Sequence, residues 1–478
     1  MEETLETEPL KEKAFTSIEC LPIDVWLLLP SFLYWKEWNH FLYSIQQSKQ
    51  LITSQSADFA QNLKRRGIIL KLNKQFSMQY YIDATFRSFI AEQVVMNITK
   101  QVSLTYEFTS AVADVSVLQG VSSIKFAFCK QLTNISSITS LKHLILYGNC
   151  DIENLSALKQ LQTLDITSND QLCEAPDIFG SISSLCLSRC NNLDNIAALG
   201  KNTNSLDLSK CIQINQVNHL GNVRILNLSG CISVTDVSSL GNVHRLDISY
   251  CSRVENVGNL GKVPYLIMRS CRLISGVTRL GQGNYFVDLS YCPGVTDVSS
   301  LASVHTVILQ HCTGITNVNC LKKVYELDLT SCEQVSDVSE LGYVHTLTLT
   351  KCHRIIDISK LGKANYYLDL RQCHGISDVS SLKDVYDLNL SYSTLIENIR
   401  GKLTNVKKLN ISGNNYIRDV SSLKSVEVLD ISFCRNISCV SMLPNLKVLI
   451  MYGCQNIFDL NELGKDVVIR AASRPNRK

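Results

Sequence analysis

The residues of this sequence that could most readily bind a metal or form covalent bonds are its 19 cysteines. Thirteen of them recur in a row with a period of 20 or 21 residues, from Cys129 to Cys454. Thiolates bind zinc, and neighbouring thiols form disulfides. A straight row does not bring four ligands to the corners of a tetrahedron, and no Cys-x-x-Cys pair occurs. We therefore expect no bound metal and no cofactor.

The apolar residues that precede the cysteines recur with the same period. Each cysteine of the row, which we call a marker, ends a pattern of the type Leu-x-Leu-x-x-Cys, in which another apolar residue replaces leucine in some units, and the segment from Leu206 to Cys251 repeats that pattern clearly. Eighteen marker positions follow one another at steps of 20 or 21 residues. A fixed period in this range predicts a solenoid, in which stacking buries one continuous core. Where cysteine is absent, the marker is Thr109, Asn149, Asn169, Ser393 or Asn414.

Alternation within each unit predicts a short strand. In the unit marked by Cys231, Leu226 and Leu228 would point inward and the residues between them outward. The return segment is too short for a full α-helix with its turns, so extended chain or 3₁₀ turns are expected there. Aspartates in those segments would cap the turns through side-chain to backbone hydrogen bonds. These aspartates are Asp236, Asp297, Asp337, Asp357, Asp378 and Asp419.

The repeated pattern resembles the leucine-rich-repeat (LRR) family over roughly residues 102–463. The resemblance implies an α/β solenoid, a curved horseshoe of about 18 repeats with a parallel sheet on its concave face and extended or 3₁₀ turns on its convex face. We assign the solenoid to residues 101–466 and a short C-terminal tail to residues 467–478. A small helical domain is expected before the repeats.

Composition favours a reducing compartment and a protein partner. Parallel strands would place successive marker thiols roughly 4.8 Å apart, within disulfide range, so the row suits the cytoplasm or nucleus. The acidic beginning lacks the layout of a secretory signal, and no apolar run is long enough to span a membrane. A formal charge of +3 gives no reason to expect nucleic acid or a membrane surface as partner.

The N-terminal segment resembles the F-box family. Its beginning, Leu-Pro with an acid two residues on, is followed by apolar residues at helical spacing. Pro30 lies where the family usually carries a helical Phe or Leu, and the family's closing Trp is absent. The alternative is a helical cap that only shields the first repeat. The matching positions, which the resemblance assigns to adaptor binding, are Leu21, Pro22, Asp24, Leu29, Leu33, Trp38 and Phe41.

These features divide the N-terminal part of the chain. We expect a disordered start over residues 1–18, an F-box-like helical domain over 19–55 and a cap or linker over 56–100. The cap would mix helical patches with an apolar piece around residues 68–72, and it would cover the open end of the sheet.

Acidic residues occupy the outward position between the two leucines in many units. Such a stripe could bind a basic partner, but Leu-Asp-Leu-Ser is ordinary in LRR proteins, and arginines on the same face would partly neutralise it. We favour an ordinary solvated face. The stripe comprises Asp165, Asp207, Asp247, Asp288, Asp328, Asp369 and Asp430.

Aromatic residues form two further rows. One row lies seven residues before successive markers, from His244 and Pro264 to Tyr386, and either packs against itself or serves an interface. Other aromatic and arginine side chains gather on the strands from Cys251 to Cys373, and protein interfaces concentrate these residue types. The predicted substrate-binding residues are Tyr250, Tyr265, Arg269, Phe286, Tyr291, His311, Tyr367 and Arg371.

No catalytic constellation recurs in the sequence, so we expect a protein that is not an enzyme. The F-box and LRR resemblances together imply a substrate-recognition adaptor of a Skp-cullin-F-box ubiquitin ligase, with the F-box binding a Skp-type adaptor and the repeats binding a protein substrate. The alternative is an LRR scaffold or regulator for protein–protein interaction with no link to ubiquitin.

Overall fold

The computed structural model describes residues 69–72, 80–89, 101–109, 115–129, 132, 134–147, 155–201 and 203–471. The chain divides into two compact units, Met1–Leu164 and Asp165–Lys478. Within each unit, strands pair in parallel with the next strand along the chain, from Ile69–Leu72 to His143–Tyr147 in the first unit and from Ser184–Cys186 to Val468–Arg470 in the second. This is the architecture that the period of the sequence predicts.

The first unit contains a short parallel sheet. Strand β1 pairs with β2 from Ile69 opposite Gln101, and β2 and β3 pair with a shift in register. Strand β1 and the helix fall in the region predicted as a cap, and both match the apolar and helical pieces expected there. The elements are β1 (Ile69–Leu72), α1 (Ala84–Phe89), β2 (Gln101–Thr109), β3 (Val121–Ala127) and β4 (His143–Tyr147), with β5 (Thr163–Asp165) at the boundary.

The second unit is an LRR solenoid. Each strand holds three residues, and equivalent residues of successive repeats face one another, as Leu226 faces Leu246. The strands are β6 (Ser184–Cys186), β7 (Ser205–Asp207), β8 (Ile225–Asn227), β9 (Arg245–Asp247), β10 (Tyr265–Ile267), β11 (Phe286–Asp288), β12 (Thr306–Ile308), β13 (Glu326–Asp328), β14 (Thr346–Thr348), β15 (Tyr367–Asp369), β16 (Asp387–Asn389), β17 (Lys408–Asn410), β18 (Val428–Asp430), β19 (Val448–Ile450) and β20 (Val468–Arg470).

The core consists of the aliphatic side chains that recur in every repeat. Both leucines of the strand pattern are buried, and so are four aliphatic residues on the return path. Because each repeat shares this core with its neighbours, burial of apolar surface supplies the main stabilisation of the stack. In the unit marked by Cys231 the six buried residues are Leu226, Leu228, Val234, Val237, Leu240 and Val243.

The return path contains 3₁₀ turns, as predicted. One runs over Ser238–Asn242 and another over Ser299–Ser303. The aspartates named above each accept a hydrogen bond from the backbone N–H two residues on, as Asp236 does from Ser238 at 2.8 Å. These hydrogen bonds hold the pKa of the Asp236 carboxyl below its usual value. The remaining 3₁₀ helices are Ser116–Leu118, Leu155–Ala157, Asp177–Ser181, Asn218–Leu220, Gly258–Lys262, Asn319–Leu321, Leu341–Tyr343, Ser380–Leu382 and Leu460–Glu462.

Two of the 21-residue units absorb their extra residue in a glycine turn. Gly281 and Gly362 have φ values of 86° and 81°, a region that L side chains avoid. The backbone N–H of Gly281 donates to the side chain of Asn284, whose amide donates in turn to the carbonyls of Leu260 and Val263. The buried asparagine thereby keeps a longer repeat in register with its neighbour.

Candidate functional site

The marker cysteines from Cys190 to Cys434 are buried and, with the partly exposed Cys454, form a ladder of hydrogen bonds along the second unit. The Sγ of Cys231 donates to the carbonyl of Leu208 in the preceding repeat at 3.0 Å, and the backbone N–H of Cys231 donates to Leu228 in its own repeat. The same contact recurs at Cys312 and at Cys373 with distances of 3.0 Å. The marker therefore satisfies a carbonyl that the turn leaves partly unpaired, which the sequence predicted.

Burial makes these thiols poor nucleophiles. It raises the pKa of Cys332, Cys352 and Cys373 from an ordinary value of 9.0 to about 12 in each case. Desolvation disfavours the thiolate, which is the reactive form. All the cysteines that the structure describes are free thiols. The described residues also contain no cluster of three or more His, Cys, Asp or Glu side chains able to hold a metal ion.

The side of strands β6–β19 that is opposite the core is called the open face here. Aspartates and asparagines at the last position of many strands accept the backbone N–H two residues on, as Asp207 does from Ser209 at 2.8 Å. Asn389 does the same for Ser391 at 3.0 Å. These side chains close a turn at the end of each strand, which explains why the position carries only short acceptors in so many repeats.

The stripe of aspartates was predicted to be solvated, and two of its members show that this prediction is wrong for them. Asp288 and Asp369 are buried, with 4% and 2% of their surface exposed. Arg269 lies 3.7 Å from Asp288, and Arg371 lies 3.2 Å from Asp369. A buried carboxylate needs charged or hydrogen-bonding partners, and each has an arginine that covers it. The arginines themselves remain partly exposed.

Asp369 is the centre of a network across two strands. It accepts hydrogen bonds from the backbone and guanidinium of Arg371, from the amide of Asn389 at 3.2 Å and from the hydroxyl of Tyr367 at 3.3 Å. Burial, together with the nearby carboxylates, raises the pKa of Tyr367 to about 12. On the next strand Asp387 lies 3.5 Å from Lys408. The network fixes the orientation of Tyr367 and Arg371.

Aromatic rings stack along the edge at which the chain enters the strands. Tyr285 and His305 have centroids 4.4 Å apart, and their planes are 16° from parallel. Tyr325 and His345 stack at the same distance. The row therefore packs against itself. In the repeat where Pro264 provides no aromatic ring, Tyr265 continues the row. We call this row the aromatic ladder: His244, Tyr265, Tyr285, His305, Tyr325, His345, Tyr366 and Tyr386.

A second row lies at the residue immediately before each marker, and we call it the turn row. Its members have positive φ angles, a backbone conformation that is strained for residues other than glycine. Tyr250 and Tyr291 are nevertheless large, and they are 57% and 44% exposed. The ring of Tyr291 stacks on that of His311 at 4.5 Å. Strained, exposed aromatic side chains of this kind are candidates for contact with another molecule.

The predicted substrate-binding residues fall into two groups on the open face. Tyr265 and Phe286 are register partners on β10 and β11, and the backbone N–H of Tyr250 donates to the carbonyl of Arg269. Tyr291 and His311 extend this first group. Tyr367 and Arg371 share Asp369 and form the second group. The two groups are separated by the repeats of β13 and β14, which carry none of the predicted residues.

The sequence places Tyr392 immediately before a marker, but it was not among the predicted binding residues, and Phe433 was missed. Tyr392 and Phe433 are also exposed at positive φ, and Tyr452 is exposed beside them at the C-terminal repeats. A side chain at Gly413 would overlap the ring of Tyr392. The repeats after Cys373 therefore also expose aromatic side chains, although Ser412 and Gly413 are small. An aromatic residue followed by glycine one repeat later is a signal that could have identified them.

The predicted adaptor-binding residues, from Leu21 to Phe41, lie outside the described residues, and so does the whole segment 19–55. Their role stays a prediction. In the part of the chain that the structure describes, no helix has the length and apolar character that crossing a membrane requires.

No family model matches the chain, and no curated protein matches it. Among solved structures, an internalin from Listeria monocytogenes is 18% identical, covers 82% of this chain and 94% of its own, and has a TM-score of 0.29. The functional domain of InlJ from the same organism, described as including a cysteine ladder, is 16% identical over 76% of this chain and 75% of its own, with a TM-score of 0.32. An LRR protein from Leptospira interrogans is 17% identical over 74% of this chain and 84% of its own, with a TM-score of 0.35. The geometry of the repeats described above, and not these alignments, is the basis for the fold.

Proposed function

We propose that this protein is a scaffold whose open face binds another protein across the repeats from Cys251 to Cys373. The observation that carries the proposal is the set of partly exposed tyrosine and arginine side chains on that face, some held at strained backbone positions. Tyrosine and arginine supply much of the binding energy at protein interfaces, because they combine apolar area with directional hydrogen bonds.

The size of the face suits a protein partner. Strands β10 to β15 span roughly 24 Å between the first and the last at a spacing of about 4.8 Å. Side chains beyond both ends add to this width, and a standard interface buries about 800 Å² on each partner. The aromatic ladder and the salt-bridged arginines also hold these side chains in place before binding. Such preorganisation reduces the entropy lost on association.

Cross-linking of the full-length protein to its partners, followed by mapping of the linked residues, tests the proposal. We expect contacts to concentrate on β10 to β15. Tyr291→Ala with Arg371→Ala should weaken binding by more than about 1 kcal/mol. The melting temperature should also fall, because the buried Asp369 loses its ion pair, and Tyr291→Ala alone, at an exposed position, should leave the melting temperature nearly unchanged. Asp369 would keep its bonds from the backbone of residue 371 and from Asn389 in the double variant.

A matched control is Ser209→Ala with Lys210→Ala, at the equivalent strand-end and turn-row positions of an earlier repeat. This variant should bind as the unaltered protein does. Contacts concentrated on the first or last four repeats, or on the 3₁₀ turns, would show that the site is misplaced.

The finer proposal is that the scaffold is an adaptor of a Skp-cullin-F-box ubiquitin ligase. Its support is the F-box-like sequence from Leu21 to Phe41 followed by repeats. Catalysis would then occur on another subunit, and this chain would raise the local concentration of substrate near it. Leu21→Ala with Pro22→Ala in the full chain should reduce capture of a purified Skp-type adaptor and leave substrate binding intact. If the unaltered protein captures no adaptor, the scaffold reading remains and the ligase link is lost.

We also propose a reducing compartment, the cytoplasm or nucleus. Support comes from a row of free, buried thiols one strand apart, which oxidation would cross-link. Titration of protein purified without reductant should find few reactive thiols when folded and nearly all 19 when denatured. Several native disulfides in that sample would overturn the assignment.

A further inference from the structure

The open face has an unusual charge pattern at its centre, between the two groups of predicted binding residues. Strand β13 carries carboxylates at both of its outward positions, Glu326 and Asp328, and no other described strand of the second unit does. Neither carboxylate forms an ion pair with a residue that the structure describes. Glu326 is exposed, and Asp328 is half-buried.

The hydrogen bonds of these two carboxylates leave acceptor positions free. Asp328 accepts the backbone N–H of Thr330 and the amide of Gln310, and Glu326 accepts the hydroxyl of Thr306 at 3.3 Å. A carboxylate has about four acceptor positions on its two oxygens. Neutral donors also leave its charge uncompensated. The pair can therefore still accept charged donors from outside.

Uncharged side chains lie beside the pair on the neighbouring strands. Thr306 and Ile308 lie on β12, and Thr346 and Thr348 lie on β14. These residues form a low floor, so that a segment of another protein can approach the backbone closely. The aromatic ladder borders this floor at the strand starts, and His311 of the turn row borders it at the strand ends.

Positive charges flank the floor on both sides. Arg269 follows β10, three strands before β13, and Arg371 follows β15, two strands after it. At about 4.8 Å for each strand, the arginines lie about 14 Å and about 10 Å away along the sheet. Each is paired with one buried carboxylate and has a half-exposed guanidinium with further donors available. Free guanidinium donors therefore lie on both sides of the free carboxylate acceptors, and the exposed Lys351, which follows β14, adds a positive charge on the side of Arg371.

From this pattern we infer that the partner presents an extended segment with a central lysine or arginine over Glu326 and Asp328 and with acidic residues on both sides. An extended chain advances about 3.3 Å per residue. The acidic residues should then lie about four positions from the basic one on the side of Arg269 and about three on the side of Arg371. The inference rests on the proposed function and adds the chemistry of the partner to it.

A selection from a random peptide library tests this inference. The probe is a displayed library of peptides of ~12 residues, long enough to span the ~24 Å between the arginines. Selection on the full-length protein should enrich peptides with one basic residue flanked by acidic ones. A synthetic peptide of that pattern should bind at least about tenfold more tightly than its charge-inverted counterpart.

Glu326→Gln with Asp328→Asn should lower the affinity of that peptide by about tenfold or more. Asparagine preserves the turn, because Asn389 makes the same bond to Ser391 in its own repeat. The control is Asp247→Asn with Asp430→Asn, which removes two carboxylates at the same strand position outside the floor. That control should bind the peptide unchanged.

Three results would overturn the inference: no peptide is enriched, the enriched peptides lack a basic residue, or the Glu326→Gln, Asp328→Asn variant binds them as tightly as the unaltered protein. A natural partner cross-linked to β10 to β15 whose affinity is the same for that variant would also overturn it. In that last case the proposed function would stand, because the partner would still occupy the open face.

Discussion

The marker row and the turn row are adjacent along the chain and behave in opposite ways. Marker residues are buried donors to a carbonyl of the preceding repeat, and Cys231, Ser393 and Asn414 all make this bond. Residues one position earlier sit on the surface at positive φ and vary from Lys210 to Tyr250. One row is uniform because a single hydrogen bond defines it, and the other varies because solvent permits it.

This difference separates structural from functional information in a repeat protein. A position whose residue type repeats in every unit reports what each unit needs for packing. A position whose type changes from unit to unit reports what one stretch of the surface does. Cysteine in this chain belongs to the first kind, despite its chemistry. Tyr291 and Glu326 belong to the second kind.

High pH should ionise the buried marker thiols and cause the largest predicted loss in the free energy of unfolding. The pKa of the buried thiols is raised in the folded state, so their stabilising contribution is complete below the ordinary thiol pKa near 9 and is lost as pH rises toward about 12. Each such thiol should add about 1.4 kcal/mol per pH unit to the slope of unfolding free energy against pH in that window. Urea titrations from pH 7 to pH 11 measure the slope.

A variant with Cys332→Ser, Cys352→Ser and Cys373→Ser provides the control. It should release about three fewer protons on unfolding, and its slope should be shallower in proportion. An unchanged slope would mean that these thiols ionise equally in both states, contrary to their burial.

The next largest effect should come from one charge in the core. Leu329→Asp places a carboxylate in a fully buried position without a partner, and several kcal/mol of stability should be lost. Removal of the whole repeat 312–331 should be less harmful, because every contact between neighbours is replaced by one of the same type. Chemical denaturation of both variants compares them. Greater loss in the deletion would mean that the repeats are not interchangeable.

The uniform rows explain how much of the fold could be predicted from sequence. The recurrence of a residue type at fixed spacing predicts the strand, the inward leucines, the 3₁₀ turns and the aspartate caps. The marker hydrogen bond was also predictable, since asparagine, serine and cysteine can all donate a hydrogen bond from a short side chain. Burial of Leu226 and the bond of Asp236 confirm these predictions.

The candidate site was less predictable, because it depends on contacts between repeats. Nothing in the local pattern distinguishes the buried Asp288 from the half-buried Asp328, since Arg269, which covers Asp288, lies in the preceding repeat. The positive φ of Tyr250 follows from a turn that most repeats make without glycine, so the usual glycine signal is absent. Residues chosen for the site by type alone therefore included some that serve packing, such as Tyr265 in the ladder.

A smaller effect should separate donors from non-donors in the marker row. Cys312→Ala removes the bond to the carbonyl of Leu289 and leaves a small void, so a loss of about 1–2 kcal/mol is expected. Cys312→Ser should cost less, because Ser393 makes the equivalent bond to Leu370 at 2.9 Å. Urea unfolding at pH 7 measures both. Equal losses would show that the volume of the sulfur, and not its hydrogen bond, determines the residue.

The smallest change in stability is expected in the turn row, where the backbone conformation and not the side chain determines the effect of a substitution. Lys210 has a φ of 63°, and glycine adopts that angle without strain, so Lys210→Gly relieves about 1 kcal/mol in the folded state. Glycine also makes the unfolded chain more flexible, which offsets about 0.5–1 kcal/mol. The net change should therefore lie within about 0.5 kcal/mol, measured as a shift in urea midpoint. Gly413→Ala is the contrasting variant and should destabilise more, because its Cβ would overlap the ring of Tyr392. If Lys210→Gly were the more harmful of the two, the turn row would depend on side-chain packing, and the contrast with the marker row would be wrong.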